Sequence, residues 1–481
     1  MGFFRFSRSL FPRRELLDKV MNRQLTAPTS PASIGKTITW KEYSKTMNET
    51  GGNAKYCLIG AGATGLAAVR AFQCSGLPFD CFEREDDVGG VWRYDCPSGS
   101  IYASTHLITS KAQSEFSGFA MPDSYPAYPS HRQVLEYLRA YARHHDLYAH
   151  ITLNTSVESV EPNGAGWLVR LSDGSHRSYR GVVIANGHLW EPQLPELPGT
   201  FSGRSIHSRQ YRSNDELRGK RVLVVGFGNS ACDIVIESGR CAAATFHSVR
   251  RGRHFVPKFL FGKASDTGAD WLWRFGAPLW MHRLLARLPL HAALIDPVSL
   301  GLPRPDHALF SEPVIPNEQY LQELGHGRFT VRPDVARFNG TQVEFTDGSS
   351  EEIDLVIFAT GYKMRFPFLD ASLLQWELGV PRLYLNIFHP QYDTLFFVGL
   401  SEPSTKTWEV AEHVARLISL LLKAQEANPE GMAWFHKLKA QCAGPVGLGN
   451  TQRSRFFDVE YHSYLRKLRA VFRRLGEELV W

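Results

Sequence analysis

Cysteine is scarce in this sequence, and its spacing excludes two kinds of chemistry. Seven cysteines are scattered over 481 residues, without a CxxC pair or any spacing typical of a metal site. The chain therefore has neither a dithiol that shuttles electrons nor a zinc cluster. Four of the seven lie between positions 57 and 96, within apolar segments where cysteine packs as a small hydrophobic residue. This usage favours a reducing compartment, which we take to be the cytoplasm.

Long apolar runs are absent as well. No stretch of 18 or more apolar residues occurs, so the sequence predicts no transmembrane segment. Residues 1–23 contain six Arg or Lys but lack the apolar core of a secretory signal. Phe6 stands where a myristoylation motif requires Ser or Thr. We expect a frayed basic tail here, with a transit peptide as the alternative.

Neither sign of charge dominates the sequence. The chain has 54 Lys and Arg against 48 Asp and Glu, which gives a formal net charge of +6. The basic residues do not form a run interleaved with aromatics of the kind that follows a phosphate backbone. Nucleic acid is therefore not expected as a partner. The mild positive charge is compatible with anionic cofactors but does not select them.

The order of apolar and glycine-rich segments predicts an α/β protein. A chain of 481 residues exceeds the roughly 250–300 residues at which a single core splits into domains. A strand–glycine–helix unit begins near residue 55 and recurs near residue 220, so we predict two interleaved Rossmann-like dinucleotide-binding domains. The expected divisions are a basic extension and linker at 1–53, the first domain at 54–190, the second at 191–358 with a helical insertion at about 256–317, and the return of the first domain with C-terminal helices at 359–481.

The first glycine loop stands between an apolar strand and an apolar helix. It reads Gly60-Ala61-Gly62-Ala63-Thr64-Gly65. In this motif the first glycine permits a tight turn, the second lets the backbone approach a pyrophosphate, and the third lets the helix pack against the strand. Glu83 follows the next strand, where a carboxylate accepts hydrogen bonds from ribose hydroxyls. The segment predicts a dinucleotide site.

The second glycine loop predicts a site for NADPH. It reads Gly226-Phe227-Gly228-Asn229-Ser230-Ala231 and lacks the third glycine, although its strand–helix setting is the same. Ser230 is a candidate donor to phosphate. After the next apolar strand comes an arginine-rich run instead of a carboxylate, and Arg250 or Arg251 there would pair with a 2′-phosphate. The alternative is a solvated basic loop.

Two dinucleotide sites without redox cysteines restrict the chemistry. NADPH would reduce FAD, and the flavin would pass electrons to oxygen, to a substrate or to another protein. Further motifs then make the chain resemble the flavin-containing monooxygenases, a branch of the class B flavoprotein monooxygenases, over residues 55–470. They are the second FAD segment at 84–92, the FxGxxxHxxxY identifier at 201–211, the GNSACD run at 228–233 and the ATGY run at 359–362.

The resemblance implies an NADPH- and O2-dependent monooxygenase. One oxygen atom would pass through a flavin hydroperoxide to a soft nitrogen or sulfur of a small molecule, while the protein supplies a dry pocket and hydrogen bonds. The residues expected around FAD are Gly60, Ala61, Gly62, Ala63, Thr64, Gly65, Glu83, Val91 and Trp92. Those expected to hold NADPH are Gly226, Gly228, Ser230 and Arg250.

The sequence departs from the family in its active-site segment. The family presents an Asn near the reactive edge of the flavin, and the run 104–111 places Ile108 at that position. Because isoleucine cannot donate a hydrogen bond, either Thr109, His106 or bound NADP⁺ compensates, or the enzyme leaks peroxide. We therefore treat Ile108 and Thr109 as candidate catalytic residues.

His207 of the identifier is a third candidate. It would steer the NADPH domain during turnover, or it is a hydrogen-bonded histidine between domains. Tyr211 of the same motif favours the branch that oxidises heteroatoms over the branch that inserts oxygen into ketones.

The remaining alternatives concern other functions and partners. Baeyer–Villiger oxidation of a ketone, an uncoupled NADPH oxidase and a nucleotide-binding scaffold without turnover stay open. Residues 271–295 are interpreted as a helical lid on the second domain, with a substrate mouth or weak peripheral contact to a membrane as the alternative. The C-terminal basic helix is expected to dock on the protein, and a homodimer is left open.

Overall fold

The structure is a computed structural model that describes residues 55–267, 279–377, 379–403, 405–442, 444 and 458–477. The predicted extension at 1–53 lies outside the described residues, as does the stretch 268–278 of the predicted insertion. Among the helices described, none combines the length and apolar character that crossing a membrane requires.

A five-stranded parallel sheet forms the first nucleotide-binding unit. Its strands, in spatial order, are Leu395–Phe397, Gly181–Ile184, Tyr56–Ile59, Phe79–Phe82 and Ile151–Thr152. Successive side chains of Tyr56–Ile59 point to opposite faces, so Tyr56 and Leu58 enter one core cluster while Cys57 and Ile59 enter another. The strand is buried along its whole length, as expected where helices or further strands cover both faces.

A second five-stranded parallel sheet repeats this arrangement. Its strands, in spatial order, are Arg204–His207, Leu355–Phe358, Arg221–Val225, Ala244–Ser248 and Thr330–Arg332. In the sequence, all five strands lie between Gly181–Ile184 and Leu395–Phe397, two neighbouring strands of the first sheet. The predicted α/β fold with two interleaved nucleotide-binding units is therefore confirmed, while the exact domain boundaries stay predictions.

Eight α-helices surround the sheets in the described part of the chain. They are α1 (Ala63–Ser75), α2 (His131–His144), α3 (Asn229–Cys241), α4 (Leu279–Ala293), α5 (Glu318–Gly325), α6 (Thr407–Ala427), α7 (Pro429–Cys442) and α8 (Tyr461–Arg474). Helices α1 and α3 follow the two glycine loops, and α6 packs against α1, α7 and α8. The C-terminal α8 docks as expected, because Tyr464, Leu465 and Leu468 on its apolar face are buried.

Smaller sheets complete the molecule. A three-stranded antiparallel sheet is formed by Val157–Asn163, Gly166–Leu171 and His176–Tyr179, and a four-stranded mixed sheet by Ser350–Glu352, Gln342–Phe345, Val335–Gly340 and Gly199–Phe201. The two-stranded pairs are Phe255–Val256 with Ile315–Pro316, Phe259–Leu260 with Lys263–Ala264, Tyr362–Lys363 with Glu191–Pro192, Trp376–Glu377 with Val380–Pro381, and Glu402–Pro403 with Asp458–Val459.

The central strand of the second sheet offers a test of this core. Leu223 is fully buried, so Leu223→Ala should lower the free energy of unfolding by about 2–5 kcal/mol through lost burial and a residual cavity. The matched control is Leu194→Ala, since Leu194 is 53% exposed and its loss should cost under about 0.5 kcal/mol. Urea unfolding followed by tryptophan fluorescence compares the two variants. Equal shifts of the unfolding midpoint would contradict the assigned core.

Candidate active site

A cavity of about 2490 Å³ opens at the carboxyl ends of both parallel sheets. Its lining includes Gly60 and Glu83 after strands of the first sheet, and Gly226 and Ser248 at strand ends of the second. Ligands of open parallel sheets bind at this edge. A site for one drug-sized molecule measures about 300–1,000 Å³, so this cavity is large enough for several ligands side by side.

The first glycine loop has the backbone that its sequence predicts. Gly60 has a φ of +100°, and a Cβ added there would lie 2.6 Å from the carbonyl oxygen of Ala185. A Cβ on Gly65 would lie 2.1 Å from the carbonyl oxygen of Gly60, so helix and strand approach closely. Gly62 is different, because the nearest atom to its added Cβ is the Cα of Gly90, at 3.6 Å. Gly62 also lines the cavity, so its backbone is accessible to a ligand there.

Glu83 braces this loop from inside the protein. One carboxylate oxygen accepts from the backbone N–H of Ala61 at 2.6 Å and the other from the N–H of Glu85 at 3.0 Å. Burial raises the pKa of Glu83, and the two backbone hydrogen bonds partly offset this rise. The carboxylate also lines the cavity, and each oxygen keeps a lone pair for a further donor.

The segment after Glu83 forms a second wall of the same site. Gly89 and Gly90 both have positive φ angles, and Gly90 begins a 3-10 turn that ends at Trp92. Val91 and Trp92 line the cavity together with Ala63 and Thr64 of α1. The structure therefore brings these predicted residues together in one cavity. Ala61 and Gly65 do not line the cavity and instead make contacts within the glycine loop.

The second glycine loop repeats the geometry of the first. Gly226 has a φ of +117°, and an added Cβ would lie 2.4 Å from the carbonyl oxygen of Ala359. Gly228 has no atom within 4 Å of its added Cβ. At the third position Ala231 is fully buried, so the wider spacing here accepts a methyl group where the first loop requires glycine. Gly228 and Ser230 both line the cavity.

The arginine-rich loop separates into residues with different roles. Arg251 and Arg253 form ion pairs with the buried Glu312, at 2.6 Å and 2.7 Å. Arg250 is exposed, lines the cavity and forms no ion pair or hydrogen bond with a described residue. Of the two arginines that the sequence offered for a 2′-phosphate, the geometry favours Arg250.

The active-site segment presents Ile108 to the cavity with 46% of its surface exposed. Thr109 also lines the cavity, but its hydroxyl lies 2.7 Å from the hydroxyl of Ser114, which donates to the carbonyl oxygen of Ser110. The hydroxyl proton of Thr109 is therefore used within the segment. His106 donates through Nδ1 to the carbonyl oxygen of Ser104 at 2.7 Å, so Nε2 of the neutral ring is an acceptor.

His207 lies outside the residues that line the cavity. Its Nε2 donates to the carbonyl oxygen of Gly361 at 3.0 Å, and its Nδ1 accepts from the N–H of Arg209 at 3.1 Å. Burial lowers the pKa of His207, which keeps the ring neutral at physiological pH. His207 thus ties the identifier to the ATGY segment by a hydrogen bond, and a role for it during turnover stays a prediction.

Two acidic residues of the cavity were missed by the sequence reasoning. Asp266 accepts from the N–H of Ser110 at 2.6 Å and so joins the insertion to the active-site segment. Asp233 lies on α3 and accepts from the phenol of Tyr102 at 2.7 Å. The spacing of Asp233 and Glu237 on one helix face was a usable signal, whereas nothing in the sequence links Asp266 to Ser110.

The insertion supplies an apolar wall. Leu285, Ala286, Pro289 and Leu290 of α4 line the cavity, which is the position expected of a substrate mouth, and the lid stays a prediction. In the same described part of the chain, no cluster of three or more His, Cys, Asp or Glu side chains is arranged to hold a metal ion.

Comparison with known proteins agrees with this geometry. Residues 53–474 match the family described as flavin-binding monooxygenase-like. The chain is 32% identical over 442 residues to dimethylaniline monooxygenase (N-oxide-forming) 2 of Macaca mulatta, covering 86% of this chain and 82% of the relative. It is 32% identical over 416 residues to flavin-containing monooxygenase 1 of Homo sapiens, covering 80% and 77%.

Solved structures share the fold at lower identity. S-allyl-L-cysteine S-oxygenase from Allium sativum superposes with a TM-score of 0.61 at 20% identity, over 89% of each chain. The open form of cyclohexanone monooxygenase gives a TM-score of 0.64 at 17% identity, over 87% of this chain and 98% of the other. The sequence relatives and the family match over most of the chain identify the protein as a member of the flavin-binding monooxygenase family, an FAD- and NADPH-dependent oxidoreductase.

Proposed function

We propose that this enzyme uses FAD at the first glycine loop and NADPH at the second to oxygenate a soft nitrogen or sulfur of a small molecule. The observation that carries the proposal is the single cavity that joins both loops to the active-site segment at Ile108. In such a cavity the two cofactors and a substrate can react without leaving the protein.

The residues of the first loop fit FAD. Gly62 is the N-cap of α1 and makes no side-chain cap, so the first N–H groups of the helix are available to a pyrophosphate. Gly62 lines the cavity, and Glu83 offers lone pairs to ribose hydroxyls. Val91 and Trp92 of the neighbouring segment add apolar side chains to the same lining.

The residues of the second loop fit NADPH. Helix α3 begins at Gly228, also without a side-chain cap, and Ser230 stands in its first turn. Arg250 reaches the same cavity with its charge uncommitted to any described residue, so it is our candidate for the 2′-phosphate. Arg251 is not, because Glu312 already neutralises it.

FAD held at the first glycine loop and NADPH held at the second would supply the redox chemistry by which one oxygen atom of dioxygen reaches the substrate. The chain's own residues bind and orient the cofactors and the substrate, and they exclude water from the site. The α4 wall of Leu285, Ala286 and Leu290 favours an apolar substrate body. The names of the relatives, which include a dimethylaniline monooxygenase and an S-oxygenase, support a nitrogen or sulfur nucleophile.

Location and assembly remain proposals of the same kind. Of the four cysteines expected to pack in the first domain, Cys57, Cys81 and Cys96 are buried and Cys74 is exposed, and all four are free thiols, which supports a reducing compartment and thus the cytoplasm. Weak membrane contact would use the exposed side chains of Trp280 and Leu284 on α4. Sedimentation velocity measures whether the protein forms a homodimer.

The FAD assignment is tested with Gly62→Ala. A methyl group there meets only ordinary contacts within the protein, yet it adds bulk to the cavity lining at the turn proposed for the pyrophosphate. We expect the wild-type protein to be yellow and to oxidise NADPH in air, and the variant to lose at least about tenfold in FAD affinity with an unchanged far-UV circular dichroism spectrum. A wild-type protein that stays colourless after incubation with FAD would refute the proposal.

The NADPH assignment is tested with Arg250→Ala. Removing the guanidinium should raise KM for NADPH by about 10–100-fold, as a lost charge-assisted pair predicts, and leave KM for NADH nearly unchanged. The matched control is Arg218→Ala, whose arginine is exposed and pairs only with Asp215 outside the cavity. Equal effects on NADPH and NADH would exclude contact with the 2′-phosphate.

The absence of a donor at Ile108 has a measurable consequence. The hydroxyl proton of Thr109 and the Nδ1 proton of His106 are both used within the segment, so Ile108→Asn should lower the hydrogen peroxide formed per NADPH oxidised, by about threefold or more. Peroxide and NADPH are measured in the same assay, with a tertiary amine and a thioether as trial substrates. An unchanged ratio would mean that another group, such as bound NADP⁺, already protects the reaction. A ratio near one with every amine, sulfide or ketone would favour an NADPH oxidase.

A further inference from the structure

Two carboxylates on helix α3 hold the chain that leads into the active-site segment. Asp233 and Glu237 are four residues apart and therefore lie on one face of the helix. Asp233 accepts from Tyr102, and Glu237 accepts from Ser104 and from Tyr211. The N-terminus of this same helix is the proposed NADPH site.

Tyr102 stands at the centre of these contacts. Its phenol donates to Asp233 at 2.7 Å, and the hydroxyl of Ser230 faces the same phenol. Its ring lies 5.7 Å from the ring of Tyr211, which is fully buried. Tyr102 also lines the cavity, and its backbone N–H donates to the hydroxyl of Thr105 at 3.0 Å, so this residue joins the cofactor-binding turn to the segment that carries Ile108.

The environment of Asp233 makes these contacts specific. The side chain is half-buried, and its second oxygen accepts from the side-chain amide of Asn317 at 3.0 Å. A carboxylate partly removed from water is costly unless donors satisfy it. Moving Tyr102 away from Asp233 therefore has a larger penalty than breaking a hydrogen bond in water. The arrangement resists any shift of Tyr102 relative to α3.

We propose that Tyr102 and Asp233 are positioning residues that couple occupancy of the NADPH site to the order of the active-site segment. This inference rests on the proposed function, because it assumes that NADP(H) binds at the start of α3. A ligand on Ser230 and the neighbouring N–H groups fixes the first turn of α3, and Tyr102 transmits that restraint to residues 103–109. By linkage, an ordered segment then favours the bound ligand to the same extent.

Hydrogen exchange measured by mass spectrometry tests the coupling directly. The FAD-loaded enzyme is compared with and without saturating NADP⁺, and exchange is followed in the peptide that covers residues 100–112. In the wild type we expect NADP⁺ to slow exchange of this peptide by about fivefold or more. In Tyr102→Phe and in Asp233→Asn the slowing should fall below about twofold.

The control variant is Tyr179→Phe. Tyr179 is fully buried and donates to Asp80 at 3.0 Å, but it lies outside the cavity lining. The substitution removes the same kind of phenol–carboxylate hydrogen bond at a place that does not contact α3. NADP⁺ should therefore slow exchange of residues 100–112 as much as in the wild type. Peroxide formed per NADPH should rise by about threefold or more in Tyr102→Phe and not in Tyr179→Phe.

The possible results separate the inference from the function on which it rests. Faster exchange in Tyr102→Phe with an undiminished response to NADP⁺ would indicate a merely structural role and overturn the inference. The inference also fails if wild-type enzyme binds NADP⁺ without any protection of residues 100–112. A wild-type protein that binds no NADP⁺ would instead refute the proposed function.

Discussion

Each parallel sheet passes into its first helix through a glycine that lies directly against the backbone of the neighbouring strand. Gly60 meets Ala185 in this way, and Gly226 meets Ala359. No side chain fits between these backbones, so the strand ends and the helix starts are held at a fixed separation. The uncapped helix N-termini, the cavity and the placement of the acidic and basic side chains around it all depend on this contact.

The distribution of charge around the cavity follows from this frame. Where the first loop is braced by the carboxylate of Glu83, the second sheet carries an arginine-rich loop at the equivalent edge. The buried Glu312 neutralises two of those arginines and leaves Arg250 available for an anionic ligand. NADPH carries a 2′-phosphate that NADH lacks. The two dinucleotides would therefore differ in their electrostatic interaction with Arg250.

Much of the fold and part of the site were predictable from local patterns. The apolar strands, the glycine loops and Glu83 recur in the order of a strand–loop–helix–strand unit, and the structure has them in that order. The choice between Arg250 and Arg251 was not predictable, because the partner that removes Arg251 from consideration lies 61 residues away at Glu312. The contact of Asp266 with Ser110 spans 156 residues and has no signature in either segment. The sequence also could not show that the hydroxyl of Thr109 is hydrogen-bonded to Ser114, because that depends on how the segment folds.

The interleaved order of the strands also affects how the protein is made. Strand Gly181–Ile184 is buried on both faces in the finished sheet, and its outer partner Leu395–Phe397 is synthesised only after the whole second sheet. During translation the first unit therefore has an apolar strand edge with unpaired N–H and C=O groups. Such an edge can pair with another nascent chain, so the later strand protects against aggregation as well as completing the fold.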